Sequence, residues 1–448
     1  FCISAVTRNP FEALETYGLS VRAAQKIDLS VYDFPTVCLW YAEIGAYGDG
    51  PSINSSSGAV DEMRRIADSG FLNYSRAAVR LVPDLYDAQN QQGWWDDEHW
   101  RRGGGPGKAT RNGRYEPPFE TTKQWGRAVT DLGGIPLTYF QTGFRSEDYA
   151  ALYSEHMLFN DSMAPRRDAA GKPRPYSADM NAWQRNDALW GYDYTDRSFL
   201  RHMRQVYANL KRGRVKGLMF DYASSGWAYQ GGMEDPYSTT AAAYRTIFQL
   251  PHDLLGPESY VHERNLARGS DITLGLVASH RIWGDTDQIT PAMVTRGGLR
   301  WYKNRVAVNY DMDSKSVHKA QPATRDGVRA LLTMAYVTSG RLLLGNSFAK
   351  LTPESFYDLT RIYPFHATAK SARPVDAFTS DCPTIYDFAV SDDWHQMTLY
   401  NQTAETTEIT VALAGDTAFG ALGLHADASY MAYDFWNDRL AGVYGGSE

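Results

Sequence analysis

The sequence predicts an α/β protein, a (β/α)8 TIM barrel followed by a C-terminal antiparallel β-sandwich. Eight short apolar runs recur along residues 37–346, and amphipathic helical patterns separate several of them. That alternation is typical of a parallel sheet covered by helices. From residue 373 onward, segments alternate apolar and polar residues without a helical period, which is typical of antiparallel strands. No glycine-rich phosphate motif follows any of the runs, which disfavours a doubly wound sheet.

The predicted barrel strands follow one another with helices or long loops between them. Gly213 ends the helical pattern before the fourth strand, after a turn rich in Lys and Arg, as at a helix C-terminus. Two long insertions, 86–118 and 154–196, follow the second and third strands on the face where barrel active sites form, so we expect them to wall a pocket. The eight strands are 37–43, 78–84, 134–143, 215–222, 259–265, 271–279, 305–311 and 340–346.

The chain divides into three predicted segments. Residues 1–35 form an N-terminal helical segment, with Asn9 and Pro10 suited to a helix start, and we interpret it as the tail of a missing domain. Residues 36–365 form the catalytic barrel, and residues 366–448 form the β-sandwich, which reads as incomplete. The chain begins without Met and shows no signal peptide, so we expect that any signal peptide has been removed or that the sequence is a fragment. A secreted or periplasmic location is the corresponding expectation.

Composition excludes several classes of function. The net charge of −7 argues against nucleic acid as a partner, because phosphate binding needs a basic face. The 3 cysteines, Cys2, Cys38 and Cys382, have no metal-ligand spacing and do not form a disulfide framework, so we expect no metal and no cofactor. No apolar run is long enough to predict a membrane span. Aromatic residues make up 13% of the chain, which fits sugar stacking as well as an aromatic core. The oligomeric state stays open.

Acidic residues follow several of the predicted strands. A barrel brings the carboxyl ends of its strands to one mouth, where polar groups act in catalysis or binding. No GxSxG or HExxH motif competes with them. Two carboxylates from different strands are the usual equipment for cleaving a glycosidic bond. Each also has a structural interpretation, as a helix cap, a turn or a loop bond, and that interpretation is favoured for Asp311 and Asp313. The acidic residues at the mouth are Glu43, Asp84, Asp221, Glu263, Asp285, Asp311 and Asp313.

The order of these motifs resembles the clan D glycoside hydrolases, families 27 and 36, the α-galactosidase-like enzymes. The resemblance implies that GLMFDY supplies Asp221 as the nucleophile. It implies that HRIWGDTD supplies Asp285 as the acid/base and Arg281 as a partner of the substrate or of a carboxylate. NYDMD is similar to the loop after strand seven, and an alternative alignment makes Asp311 the acid/base.

The resemblance also implies a sugar-binding site with two departures from the family. The family usually has Lys two residues before the nucleophile, where this chain has Met219, and its strand-two DDGW motif is not evident here. Changed polar groups in a hydroxyl-binding site indicate a changed sugar. The expected substrate-binding residues, of which Trp227 is assigned from its place after the fourth strand, are Trp40, Asp84, Met219, Glu263, Arg281, Trp227 and Asp311.

The sequence therefore predicts a retaining, exo-acting glycoside hydrolase. It would cleave a terminal, α-linked, galactose-like or related sugar from an oligo- or polysaccharide. A transglycosylase of the same clan and a non-catalytic carbohydrate-binding barrel are the two alternatives.

Overall fold

The structure is a computed structural model of the 448-residue chain. It describes residues 7–42, 52–82, 97, 113–144, 154–158, 190–221, 223, 227, 232–264, 270–283, 289–317, 324–365 and 369–446.

A parallel sheet forms the barrel. Its strands are β1 Thr36–Cys38, β2 Ala78–Arg80, β3 Ile135–Gln141, β6 Gly217–Asp221, β7 Tyr260–Glu263, β8 Ser279–Arg281, β9 Asn309–Asp311, β10 Ser314–Lys315 and β11 Leu343–Leu344. They lie in the order β10-β11-β1-β2-β3-β6-β7-β8-β9, and every neighbouring pair is parallel. Because only Met312 and Asp313 separate β9 from β10, these two pieces together form the seventh strand, and the chain itself joins the two edges of the sheet. The (β/α)8 fold class is confirmed. A separate antiparallel pair joins β4 Gly143–Phe144 to β5 Trp190–Gly191.

Helices cover the outside of this sheet, and side-chain caps mark where they begin. In the helix before β6, Asp196 accepts a hydrogen bond from the Phe199 backbone N–H at 2.6 Å, and Lys211 and Arg212 fill the last turn. The helices are α1 Pro10–Gln25, α2 Ser56–Asp68, α3 Thr122–Asp131, α4 Arg197–Arg212, α5 Thr240–Leu255, α6 Pro291–Gly298, α7 Arg325–Thr338 and α8 Pro353–Arg361. Among the described residues, no helix is both long enough and apolar enough to cross a bilayer.

The sixth strand differs from its prediction. The apolar run 271–279 is mostly not a strand, because residues 270–273 form a 3-10 turn and Gly275 has φ +85°, a left-handed conformation outside the extended region of regular strands. Leu274, Leu276 and Val277 are buried in the core of the protein instead. The strand itself begins only at Ser279.

The C-terminal region contains antiparallel sheets, as the sequence predicts. One sheet has three strands, β12 Arg373–Pro374, β13 Ile385–Ser391 and β14 Trp394–Leu399, and the other pairs β15 Ser429–Asp434 with β16 Arg439–Gly445. Tyr386 of β13 is fully buried and lies against Val294 and Gly298 of α6. The three-stranded sheet therefore packs against barrel helix α6.

The N-terminal helix begins where the sequence predicts. The side chain of Asn9 accepts a hydrogen bond from the Phe11 backbone N–H at 3.0 Å, and Pro10 is the first helical residue. Glu15 pairs with Arg373 of β12 at 2.7 Å, so α1 contacts the C-terminal sheet.

Candidate active site

The alternation of side chains along β6 defines which residues point into the barrel. Phe220 points outward, because its ring packs against Phe248 of α5 at 5.2 Å between centroids. Met219 and Asp221, on either side of it, therefore point inward. The register pairs Met219 with Tyr139 of β3 and with His262 of β7, which extends the inward row across three strands.

Asp221 lies at the carboxyl end of β6 and is only 2% exposed. Its Oδ2 atom accepts a hydrogen bond from the Tyr139 hydroxyl at 2.8 Å and forms an ion pair with Nη1 of Arg264. The side-chain amide of Gln141 donates to the Tyr139 oxygen at 2.9 Å, which orients that hydroxyl toward the carboxylate. Asp221 is therefore held in a defined orientation as a carboxylate at the barrel mouth.

A buried ion pair lies in the barrel interior, between Asp311 of β9 and Arg341, which precedes β11. Nη1 of Arg341 lies 3.2 Å from Oδ2 of Asp311, and both side chains are fully buried. The same Nη1 lies 3.2 Å from Nδ1 of His262. Burial, followed by the charges of Arg341, Arg80 and Arg264, holds the pKa of His262 well below its usual value. His262 is therefore neutral, and its Nδ1 accepts from Arg341.

Arg281 and Asp313 form a second ion pair beside the first. Nη2 of Arg281 lies 2.8 Å from Oδ2 of Asp313, and Nε donates to the Trp283 backbone carbonyl at 2.6 Å. Asp313 has φ +69°, and its backbone N–H donates to Oδ1 of Asp311 at 2.5 Å. The break in the seventh strand thus brings Asp313 to Arg281 and ties it to Asp311.

The opposite side of the mouth is mostly apolar. Met219 is 5% exposed and packs in one cluster with residues from β1, β3 and β11 and from the segments that follow β1 and β2. Next to this cluster, Nη2 of Arg80 donates to Sγ of Cys38 at 2.9 Å. Burial opposes the charge on Arg80, but Cys38, Asp311 and Tyr41 outweigh it and raise the pKa of the guanidinium. The other members of the apolar cluster are Cys38, Tyr41, Val82, Tyr139 and Leu343, with Trp40 packed against it.

Glu263 lies on the other face of β7 from His262. It pairs in register with Phe220, whose side chain points outward, and it is fully buried. Its Oε1 accepts from the Tyr244 hydroxyl of α5, and its Oε2 accepts from Thr273 at 2.6 Å. The structure therefore brings Glu263 to the layer between the barrel and α5, and not to Asp221.

Trp227 lies in the same layer. Its ring packs edge-on against Tyr244, with 5.1 Å between centroids, and it contacts the main hydrophobic core. Of the remaining predicted site residues, Glu43, Asp84 and Asp285 lie outside the described residues. Trp40 lies beside Met219, and Arg281 and Asp311 lie on the charged side of the mouth.

Sequence reasoning missed three residues of the inward row, Tyr139, Arg264 and Arg341. The alternation of side chains along a strand would have identified Arg264, because residue 264 faces inward if residue 262 of β7 does. The described residues contain no group of His, Cys, Asp or Glu that could hold a metal ion.

The fold is similar to those of several solved glycosidases. An α-galactosidase I from Mortierella vinacea matches with a TM-score of 0.57 and 12% identity, over 93% of both chains. A family 27 β-L-arabinopyranosidase from Geobacillus stearothermophilus matches with a TM-score of 0.60 and 12% identity, over 93% of both chains. An isomalto-dextranase from Arthrobacter globiformis T6 matches with a TM-score of 0.60 and 13% identity, over 93% of this chain and 70% of that one.

A fourth similar structure is the cycloalternan-forming enzyme from Listeria monocytogenes, with a TM-score of 0.57 and 12% identity, over 97% of this chain and 42% of that one. No protein-family model and no curated protein matches the sequence. The similarity therefore concerns the fold, and at these identities it leaves the activity open. This chain therefore shares its fold with these solved glycosidases.

Proposed function

We propose that this protein is a retaining, exo-acting glycoside hydrolase with Asp221 as its nucleophile and Asp285 as its acid/base. The position of Asp221 carries the proposal. It is a buried carboxylate at the carboxyl end of the fourth barrel strand, bonded to Tyr139 and Arg264, in a fold that known glycosidases share. The proposed catalytic unit is the barrel, residues 36–365, and the proposed location is secreted or periplasmic.

The reaction follows from two carboxylates with different protonation states. Asp221 attacks the anomeric carbon while Asp285, protonated, gives its proton to the leaving oxygen. Asp285 then removes a proton from water, which attacks the same carbon and releases Asp221. In the sequence Asp285 comes shortly after β8, and β8 pairs with β7 in the barrel. This order supports a position for Asp285 at the same mouth as Asp221.

The contacts of Asp311 favour Asp285 as the acid/base. Asp311 is fully buried and pairs with Arg341 at 3.2 Å, so its carboxylate is already used in the interior of the barrel. An acid/base must carry a proton in the first step and reach the leaving oxygen. Asp311 therefore fits a structural role on the charged side of the mouth, as the anionic partner of Arg341.

The proposed substrate is a terminal α-linked, galactose-like or related sugar at the end of an oligo- or polysaccharide. The similar structures include an α-galactosidase and a β-L-arabinopyranosidase, which supports a sugar of this group. At position 219, where the resemblance expects Lys, the side chain of Met219 has no hydrogen-bond donor and belongs to the apolar cluster. We therefore expect a substrate whose face toward β6 is less polar than that of galactose.

Two variants of Asp221 test the proposal. A panel of activated aryl glycosides identifies a substrate first. Asp221→Asn should then lower turnover about 10³-fold or more, because the nucleophile is lost. Asp221→Gly with sodium azide should recover turnover and yield a glycosyl azide of inverted configuration. Near-normal turnover by Asp221→Asn would contradict the assignment.

Asp387→Asn is the matched control. It removes a buried carboxylate from the C-terminal sheet, where Asp387 pairs with His395 at 2.9 Å. Its turnover should stay close to that of the wild type. Retention is tested by NMR of the first product, which should have the anomeric configuration of the substrate.

Transglycosylation is the second candidate function, because one of the similar structures is a cycloalternan-forming enzyme. Products that grow with the concentration of an added oligosaccharide acceptor would identify it. The non-catalytic alternative rests on the apolar Met219. It predicts sugar binding by calorimetry with no hydrolysis across the panel.

A further inference from the structure

Arg264 is placed beside the candidate nucleophile by the pairing of two strands. The register pairs Met219 with His262 and Phe220 with Glu263. The backbone N–H of Arg264 donates to the Phe220 carbonyl at 2.8 Å, which extends the pairing by one residue. Arg264 therefore comes opposite Asp221, and its Nη1 forms the ion pair with Oδ2.

The ion pair is largely shielded from solvent, with Asp221 buried and Arg264 slightly exposed. The Arg264 side chain is 12% exposed and that of Asp221 is 3% exposed. In such surroundings a charge pair is weakly screened, and removing one partner leaves the other charge buried without compensation. The state of Asp221, charged or esterified, is therefore strongly coupled to Arg264.

β6 itself supplies no cation. At position 219, two residues before Asp221 on the same face, the side chain belongs to the apolar cluster with Tyr139 and Trp40. We infer that Arg264 is the positioning residue of the nucleophile, so that the cation of this site comes from β7 and not from β6. This inference rests on the proposed function.

The two half-reactions should depend on Arg264 to different extents. In the first, an oxygen of Asp221 bonds to the anomeric carbon, the leaving oxygen departs with its electron pair and takes the proton of Asp285, and Arg264 loses its anionic partner. In the second, water gives a proton to Asp285 and bonds to the anomeric carbon, and the bond to Asp221 breaks. The carboxylate then returns to Arg264. Arg264 therefore promotes release of the enzyme from the sugar more than attack on it.

The test measures both half-reactions in variants of Arg264. Rapid-quench kinetics with an activated aryl glycoside give the rate of the first step and the amplitude of the burst of aryl alcohol. Intact mass spectrometry detects enzyme that carries one sugar. In Arg264→Met, the second step should slow by about 10²-fold and the first step much less, so that the sugar-bearing enzyme accumulates. Arg264→Lys, which keeps the charge, should retain the balance of the wild type.

Two controls make the outcome specific. Arg373→Met removes an arginine that pairs with Glu15 at 2.7 Å, away from the barrel interior, and it should leave both steps unchanged. Arg264→Gln, which is nearer in shape to arginine than Met is, replaces Arg264→Met if that variant does not fold.

Equal slowing of both steps in Arg264→Met, or no slowing, would overturn the role of Arg264 while the proposed function stands. Failure of the wild type to turn over any glycoside would overturn the proposed function, and the inference with it. Accumulation of sugar-bearing enzyme in Arg264→Met but not in Arg264→Lys supports both.

Discussion

The two sides of the barrel mouth differ in how they are held together. On the side of β1, β2, β3 and β6 the described inward residues are mostly apolar, with Trp40, Tyr139 and Met219 in one cluster and Arg80 of β2 as a buried charged exception. On the side of β7, β8 and β9 they form buried ion pairs, including Arg341 with Asp311 and Arg281 with Asp313. Asp221 lies on the boundary, bonded to Tyr139 on one side and to Arg264 on the other.

This difference indicates a division of work. Apolar contacts are weakly directional and can accommodate a sugar face or a changed substrate. Buried ion pairs fix geometry, because each charge is costly to leave without its partner. The charged side should therefore respond to substitution through stability and the orientation of Asp221, and the apolar side through substrate preference.

The largest expected effect comes from breaking the charged side. Arg341→Met leaves Asp311 buried without its cation, so the free energy of unfolding should fall by about 3–5 kcal/mol in denaturant titration. Arg341→Met combined with Asp311→Leu should recover part of this loss, since neither charge remains buried. A loss below about 1 kcal/mol in the single variant would mean that this ion pair does not hold the charged side.

Glu263→Gln tests whether Glu263 belongs to the charged side of the mouth or only to the layer toward α5. Glu263 bonds to Tyr244 and Thr273 in the layer toward α5, and not to Asp221. The variant should lower the free energy of unfolding by about 1–3 kcal/mol, because Gln keeps only one of the two buried oxygens that accept hydrogen bonds from Tyr244 and Thr273. Its kcat/KM, measured where the protein is fully folded, should stay within about twofold of the wild type. A large loss of kcat/KM in folded protein would instead support the role in sugar binding that the sequence resemblance implies.

His262 should give the charged side a pH dependence. Its pKa in the folded protein is far below its usual value, because it is buried among cations. Below about pH 6.5 the unfolded chain binds a proton that the folded protein does not, so stability is complete above this pH and falls below it. In His262→Gln, the free energy of unfolding should fall less steeply below pH 6.5 than in the wild type, by up to about 1.4 kcal/mol for each pH unit.

Denaturant titrations from pH 5 to pH 7 measure this slope. His156 and His202 also have lowered pKa values through burial, so a smaller slope should persist in His262→Gln. An identical slope in the variant and the wild type would contradict a neutral, buried His262.

Met219→Leu should have the smallest effect. The two side chains have similar volumes, so the free energy of unfolding should change by less than about 1.5 kcal/mol. Because Leu preserves an apolar surface against Tyr139 and Trp40, kcat/KM should stay within a few-fold of the wild type. A loss of two orders of magnitude would mean that the Met219 thioether makes a specific contact with the substrate.

The approximate positions of most strands and the position of Asp221 could be predicted from sequence, because an apolar run that ends on an acidic residue is a local pattern, although several strands are shorter than their runs. The sixth strand could not, since the run 271–279 is apolar for a different reason: its residues pack in the core around a left-handed glycine. Local composition does not distinguish a buried turn from a buried strand.

The partners of Asp221 were beyond sequence reasoning for another reason. Tyr139 and Arg264 come from two other strands, and only the register between strands shows that they meet Asp221. A shift of one residue exchanges the inward and outward faces. Because side chains alternate along β7, His262 and Arg264 point into the barrel, whereas Glu263, which the resemblance assigns to the sugar site, points toward α5.

Covalent labelling tests the central claim most directly. A mechanism-based inhibitor that forms a stable glycosyl-enzyme, built on the sugar found in the substrate panel, is followed by proteolysis and mass spectrometry of the labelled peptide. The account predicts a label of one sugar on Asp221, in the segment VKGLMFDY. A label on Asp285, Asp311 or Asp313, or turnover with inversion and no label, would contradict it.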